Sequence, residues 1–112
     1  MESCVFCRIA RGEIPAEVVY EDAGNLVFRD IKPAAPVHLL AIPRRHVARL
    51  ADCSGKDADL LAALFLAVNR AAAAEKLRDF RLIVNNGAGA GQTVFHLHAH
   101  ILAGGNMSEK LL

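Results

Sequence analysis

Phe95-His96-Leu97-His98-Ala99-His100-Ile101-Leu102 places three imidazoles two residues apart inside a short apolar run. On a β-strand alternate residues share a face, so His96, His98 and His100 would line one side, each roughly 7 Å from the next, with Leu97, Ala99 and Ile101 on the other. A helix would scatter the same histidines at about 200° per step, and the Phe, Ile and Leu content favours a strand. A solvated strand face is ordinarily served by Lys or Thr. Three imidazoles on one face point to chemistry.

The rest of the chain bounds what that chemistry can be. Its 112 residues suit one domain, 1–112, with a single modest core. The formal charge is near +1 with Lys and Arg scattered, so no nucleic-acid partner and no membrane surface is expected. The start, Met1-Glu2-Ser3-Cys4, lacks the basic segment and apolar core of a signal peptide, and a cytoplasmic location is expected. Three cysteines are an odd number, which favours reduced thiols over a disulfide framework. Two of them form Cys4-Val5-Phe6-Cys7, compatible with a redox pair, half a metal site, or small buried side chains.

Arg11-Gly12-Glu13-Ile14-Pro15 reads as a turn, followed by strands at Val18-Val19-Tyr20 and Asn25 to Asp30 joined around Asp22-Ala23-Gly24. Pro33 and Pro36 break the chain before a third strand, Val37-His38-Leu39-Leu40-Ala41-Ile42-Pro43. Arg44-Arg45-His46 then forms a basic turn. Ser54-Gly55-Lys56-Asp57 has capping-box spacing and opens a helix over Leu60 to Ala74. Leu61, Leu64, Phe65, Val68 and Ala72 fall on one face of it, and Ala63, Ala67, Ala71 and Ala74 on a second. A helix apolar almost all round is deeply buried or half of a subunit contact; at this chain length a contact is expected. It falls short of the ~20 apolar residues of a membrane span. Phe80 to Asn85 is a further strand, and Gly87-Ala88-Gly89-Ala90-Gly91 leads through Gln92-Thr93 into the histidine run. That loop has no Gly-Lys-Ser/Thr ending and is no P-loop, but its N–H groups and the Thr93 hydroxyl could face an anion. About five strands, mostly hairpin-connected, and one principal helix make an α+β antiparallel sheet with the helix packed on it.

His96-Leu97-His98-Ala99-His100-Ile101-Leu102 matches the histidine triad signature, H-φ-H-φ-H-φ-φ with φ apolar. Matches also occur at Glu13-Ile14-Pro15-Ala16, Phe28-Arg29-Asp30-Ile31, Ala35-Pro36-Val37-His38, Ile42-Pro43-Arg44-Arg45-His46-Val47 and Gly91-Gln92-Thr93-Val94. On these stretches the chain resembles the histidine triad (HIT) proteins, and its Ala103-Gly104-Gly105-Asn106-Met107 tail resembles the Hint-like, nucleoside phosphoramidase branch. Thr93 stands where that branch often has serine.

The resemblance implies a HIT-like fold with an additional short N-terminal helix, and a hydrolase acting on the α-phosphate of purine nucleotide conjugates through a nucleotidyl-His98 intermediate. It places His100 and His38 at the phosphoryl group and Thr93 and Gln92 on the leaving side. Phe6, Phe28, Asp30, Ile31, Asn85 and Gly91 would line the nucleoside site, with Asp30 taking the ribose hydroxyls. It also implies a homodimer. Imidazole suits these roles because its pKa lies near neutral pH. A dinucleoside polyphosphate hydrolase of the same family, a zinc-dependent hydrolase using the triad histidines as ligands, and a non-catalytic nucleotide-binding module are the alternatives. The two histidines this catalysis leaves over, His46 and His96, accompany Cys4 and Cys7. Some members that this chain resembles carry such a set, and two thiolates with two imidazoles suit a closed, structural Zn²⁺ site. The bland alternative is two small buried thiols, a turn histidine and a hydrogen-bonded strand histidine.

Overall fold

The computed structural model describes residues 3–109, so Met1 and Glu2 of the chain start read above lie outside the described residues. Five strands, β1 (Val18–Glu21), β2 (Asn25–Arg29), β3 (Val37–Pro43), β4 (Arg81–Ile83) and β5 (Ala99–Ala103), pair antiparallel in the order β1-β2-β3-β5-β4. Two α-helices accompany them, α1 (Val5–Ala10) and α2 (Ala58–Ala74). This is the α+β sheet with one long and one short N-terminal helix that the sequence predicts. The β1–β2 turn forms because Asp22 Oδ1 accepts the backbone N–H groups of Gly24 (3.0 Å) and Asn25 (2.8 Å).

The period-2 alternation of the central strands builds two cores on opposite faces. Val27, Leu39, Ala41, Ala99 and Ile101 pack on one side against Leu64, Ala67, Val68 and Ala71 of α2. Leu26, Phe28, Leu40 and Ile42 pack on the other against Phe6 of α1. Each large aliphatic side chain buried this way stabilises the fold by about 1.5–3 kcal/mol relative to exposure. The α2 face is closed along its length, whereas the six residues of α1 cover only part of theirs. The open remainder is where polar side chains collect.

Two expectations need correction. The buried stripe of α2 is Leu64, Ala67, Val68, Ala71 and Ala72, while Phe65 lies 43% exposed and Leu66 50%. The stripe that meets the sheet straddles the two faces, taking Leu64, Val68 and Ala72 from one and Ala67 and Ala71 from the other, because the small alanines let helix and sheet approach closely while Leu64 and Val68 fill the space beside them. The histidine run is not one strand either. β5 begins at Ala99, and the chain before it bends, with the Leu97 N–H donating to the Val47 carbonyl at 2.6 Å. His96 therefore leaves the face that His100 occupies.

Candidate functional site

Register decides which side chains meet on the open face. β3 and β5 pair His38 with Leu102 and Leu40 with His100, so the two histidines are diagonal neighbours on one face, ring centroids 5.2 Å apart. Asp30 follows β2 on the same parity as Leu26 and Phe28, and its backbone N–H donates to the His38 carbonyl at 2.9 Å. Its Oδ2 lies 3.4 Å from His38 Nε2, and its Oδ1 accepts the Lys32 N–H at 2.8 Å.

Backbone groups fix which nitrogen of each neutral ring carries the proton. The Ala34 N–H can only donate, so His38 accepts it at Nδ1 (2.9 Å) and holds its own proton on Nε2. That Nε2–H faces His100 Nδ1 at 2.9 Å, which places the His100 proton on Nε2. The same Ala34 contact argues against a cation among Asp30, His38 and His100, although their donor atoms lie within 4.8 Å of one another. Binding through His38 Nε2 would move its proton onto Nδ1, against the Ala34 N–H. His98 is oriented likewise. Its Nδ1–H donates to the His96 carbonyl at 2.8 Å, leaving a lone pair on Nε2, and its ring lies 5.0 Å from that of His100. Burial pushes the His98 and His100 imidazoles below their usual pKa, and for His100 the neighbouring His98 and His38 push the same way. Both are neutral near pH 7.

His98 and His100 open into a cavity of about 320 Å³ whose other walls include Phe6, Phe28, Asp30, Ile31 and Thr93. Phe6 stands edge-on to both Phe28 (centroids 5.7 Å) and His98 (5.1 Å), so one ring packs against the apolar wall and the histidine together. Ile31, 92% exposed, forms the lip. The structure does not bring every candidate here. Gln92 is buried, but its Oε1 accepts the Gly87 N–H (2.8 Å) and its amide donates to the carbonyls of Ala48 (2.7 Å) and Val94 (3.0 Å), so it braces the loop outside the cavity wall. Asn85 and Gly91 also lie outside that wall, and Gly91 closes a turn at φ +91°. Ile9, Ile14, Pro15 and Val94 also line the cavity, although nothing in the local apolar pattern marks them as binding residues. The Glu13-Ile14-Pro15-Ala16 match was the available signal for two of them.

Cys4, Cys7, His46 and His96 converge on the other side of Phe6. Cys4 caps α1, its sulfur accepting the Cys7 N–H at 3.4 Å. Cys4 Sγ lies 3.4 Å from His96 Nδ1, and Cys7 Sγ lies 3.3 Å from His46 Nδ1 and 3.5 Å from His96 Nδ1. A zinc tetrahedron with bonds of about 2.0–2.3 Å has edges of about 3.3–3.8 Å. The donors are thus spaced as such an ion requires. His96 Nε2–H donates to the Pro43 carbonyl at 2.7 Å, which directs the Nδ1 lone pair toward the sulfurs. Burial pushes the His96 pKa down to about 4, which keeps that lone pair free. These residues fit a tetrahedral metal.

Comparison with known proteins agrees with this geometry. The family model described as "Scavenger mRNA decapping enzyme C-term binding" matches residues 3–111. Protein HitA of Neisseria gonorrhoeae is 48% identical over 103 residues, covering 91% of this chain and 96% of that protein. A HIT family hydrolase from Legionella pneumophila superposes with a TM-score of 0.91 at 47% identity, over 96% of this chain and 97% of that one. For a HIT family hydrolase from Clostridium thermocellum the TM-score is 0.96 at 43% identity, over 100% and 99% of the two chains. With the whole signature present and its His98 and His100 bordering the cavity on the open face of a sheet shared with these proteins, the chain belongs to the histidine triad family.

Proposed function

We propose that the protein is a hydrolase of the Hint-like branch that cleaves the bond between the α-phosphorus of a purine nucleotide and an amine or acyl leaving group. The observation that carries this reading is the His98 tautomer: Nδ1–H held by the His96 carbonyl and Nε2 free beside the cavity. The Nε2 lone pair attacks phosphorus and the bond to the leaving group breaks. The His100 Nε2–H, placed there by the contact with His38, donates a hydrogen bond to the departing atom, which leaves with a proton taken from water, so that His100 stays neutral. The nucleotidyl-imidazolium so formed keeps its Nδ1–H on the His96 carbonyl and has the Asp30 carboxylate nearby. Water then attacks phosphorus and loses a proton to solvent, and the P–N bond breaks to release the nucleoside monophosphate and neutral His98. Phe6, Phe28 and Ile31 would hold the base and Asp30 the ribose.

The test is turnover of a nucleoside 5′-phosphoramidate, an acyl-adenylate and a dinucleoside polyphosphate by the native protein and by His98→Ala. The first two should be the better substrates, and His98→Ala should lose roughly 10³-fold or more in kcat while still binding nucleotide. Near-native turnover by His98→Ala would remove the assignment.

Cys4, Cys7, His46 and His96 would hold one structural Zn²⁺. Four protein donors close the tetrahedron, so the ion would tie α1 to His96 and present no reactive water. Burial and the neighbouring Cys4 push the Cys7 thiol up, the condition of a thiol pair without a cation, which bound Zn²⁺ reverses. The exposed Phe65 and Leu66 side chains on α2 support a two-fold homodimer through that helix. Light scattering at low micromolar concentration should give twice the chain mass, and a monodisperse monomer would oppose it. Among the described residues no helix is long and apolar enough to cross a membrane. A cytoplasmic location would keep Cys4 and Cys7 reduced.

A further inference from the structure

Cys4 and Cys7 stand one helical turn apart at the start of α1. The Cys4 carbonyl accepts the Arg8 N–H at 3.1 Å, and the Cys4 sulfur accepts the Cys7 N–H at 3.4 Å. Both sulfurs approach one atom, His96 Nδ1, at 3.4 and 3.5 Å, and they lie within 4.8 Å of each other. A disulfide joins Cα atoms about 4.4–6.8 Å apart, a span that residues three apart at a helix start fall within, so closing this pair is confined to one turn of α1. The two thiols differ in access. Cys7 is buried, whereas Cys4 is half-buried and borders an opening formed with Ser3, Val5 and His46. Cys53, the third thiol, packs against the α2 core on the opposite face of the sheet.

We infer that Cys4 and Cys7 are a redox modification site, at which a hydroperoxide converts the two thiolates to a disulfide and so dismantles the four-donor set. The inference rests on the structural zinc reading above for what is released, and on the thiol pair alone for the bond that forms. The accessible Cys4 thiolate attacks the hydroperoxide: an S–O bond forms, the O–O bond breaks, and the alcohol, or water from hydrogen peroxide, leaves with a proton from solvent. The Cys7 thiolate then attacks the Cys4 sulfur, so that the S–S bond forms, the S–O bond breaks and hydroxide leaves, taking a proton to become water. The sulfurs lose two electrons and the peroxide gains them. A metal takes thiolate and not disulfide sulfur, so the set keeps only His46 and His96, two of the four donors a structural Zn²⁺ site needs. The change reaches His98 by two contacts. Phe6, which lies between Cys4 and Cys7 in the chain, stands edge-on to the His98 ring at 5.1 Å, and the His96 carbonyl accepts the His98 Nδ1–H at 2.8 Å. Once neither sulfur shares an ion with His46 or His96, α1 and His96 are restrained by packing alone and the His98 ring is held less firmly.

The test treats the reduced full-length protein and its Cys53→Ser variant with hydrogen peroxide in small molar excess. Zinc release is followed with a chromogenic chelator, the thiols by alkylation and peptide mass, and turnover with a nucleoside 5′-phosphoramidate. Both proteins should lose two alkylatable thiols, give one peptide that carries Cys4 and Cys7 and is two hydrogens lighter, and release about one zinc per disulfide formed. Their kcat/KM should fall severalfold, and reductant followed by Zn²⁺ should restore metal, thiols and turnover together. Cys4 and Cys7 still alkylatable after Cys53 has been oxidised, or oxidation that stops at a Cys4 sulfinic acid beside an alkylatable Cys7, would overturn the site. A disulfide that forms with turnover unchanged would overturn its coupling to His98. Reduced protein that holds no zinc, or cleaves no phosphoramidate, would overturn the corresponding reading above, and the peptide mass would then decide the thiol site by itself.

Discussion

The five histidines divide into two groups on either side of Phe6, and the groups are organised by opposite rules. At the Cys4, Cys7, His46 and His96 cluster the ring nitrogens point at sulfurs and at one another's space, within 4.8 Å. At His38, His98 and His100 each ring has one nitrogen occupied by a neighbour of fixed donor or acceptor character, and two of the rings border a cavity. On the proposed reading the same side chain serves as a metal donor where its lone pairs converge and as a reactive group where one lone pair is left facing space. His96 joins the two, because its side chain belongs to the first group and its carbonyl orients His98 in the second. That joint makes the contrast testable.

Breaking the cluster gives the largest expected effect on stability. A Cys4→Ser/Cys7→Ser double variant should fall from about one zinc per chain to nearly none by elemental analysis, with the thermal midpoint lowered by ~10 °C or more, a change on the order of 2 kcal/mol for a domain of this size. Turnover should decline less steeply than in His98→Ala. A variant with unchanged metal content and midpoint would assign the cluster to simple hydrogen bonding.

Next in size is His38. Replacing it with Ala removes the Nε2–H that keeps the His100 proton facing the leaving group, and kcat should fall about 10- to 100-fold with KM little changed. A nucleotide ester with a good leaving group, such as a nitrophenolate, needs no proton and should be cleaved almost normally. Equal losses on both substrates would mean that His38 acts through packing alone.

The smallest effect is on pH-dependent stability. Burial, then His98 and His38, hold the His100 imidazole below its usual value, so the folded chain prefers it neutral. Below about pH 6.5 the unfolded chain takes up a proton there that the folded chain refuses. Stability is therefore complete above that value and is lost as pH falls toward the lowered one. The thermal midpoint should be a few degrees lower at pH 5 than at pH 7.5, and His100→Gln should reduce the difference, the remainder belonging to His96 and His98, which burial also lowers. The lowered carboxylates of Asp22, Asp52 and Asp57 act in the same direction only at pH below about 4, which separates the two contributions. A midpoint unchanged between pH 5 and 7.5 would contradict this account of His100.

Much of this contrast could be read from the sequence because it rests on local pattern. The alternation in Val37 to Pro43 sorts Leu39 and Ala41 to one core and Leu40 and Ile42 to the other, as a period-2 strand must. The Cys-x-x-Cys spacing places both sulfurs at the first turn of a helix. What could not be read depends on long-range partners. The bend at His96 is set by Val47, far away in the chain, and no local signal distinguishes it from a strand residue. Gln92 looks like a ligand until the carbonyls of Ala48 and Val94 claim its amide. Phe65 looks like core until Ala67 and Ala71 let the sheet approach on the adjoining face.

The central claim is that the free Nε2 of His98 is the nucleophile, and the most direct measurement is the intact mass of the protein quenched during a single turnover with a nucleoside 5′-phosphoramidate. The account predicts a transient population carrying one nucleotidyl group, stable to base, labile to acid, and located by fragmentation at His98. Its decay should match product release, and it should be missing in His98→Ala. Complete turnover with no adduct at any quench time, or an adduct located at His100 or His38, would contradict it.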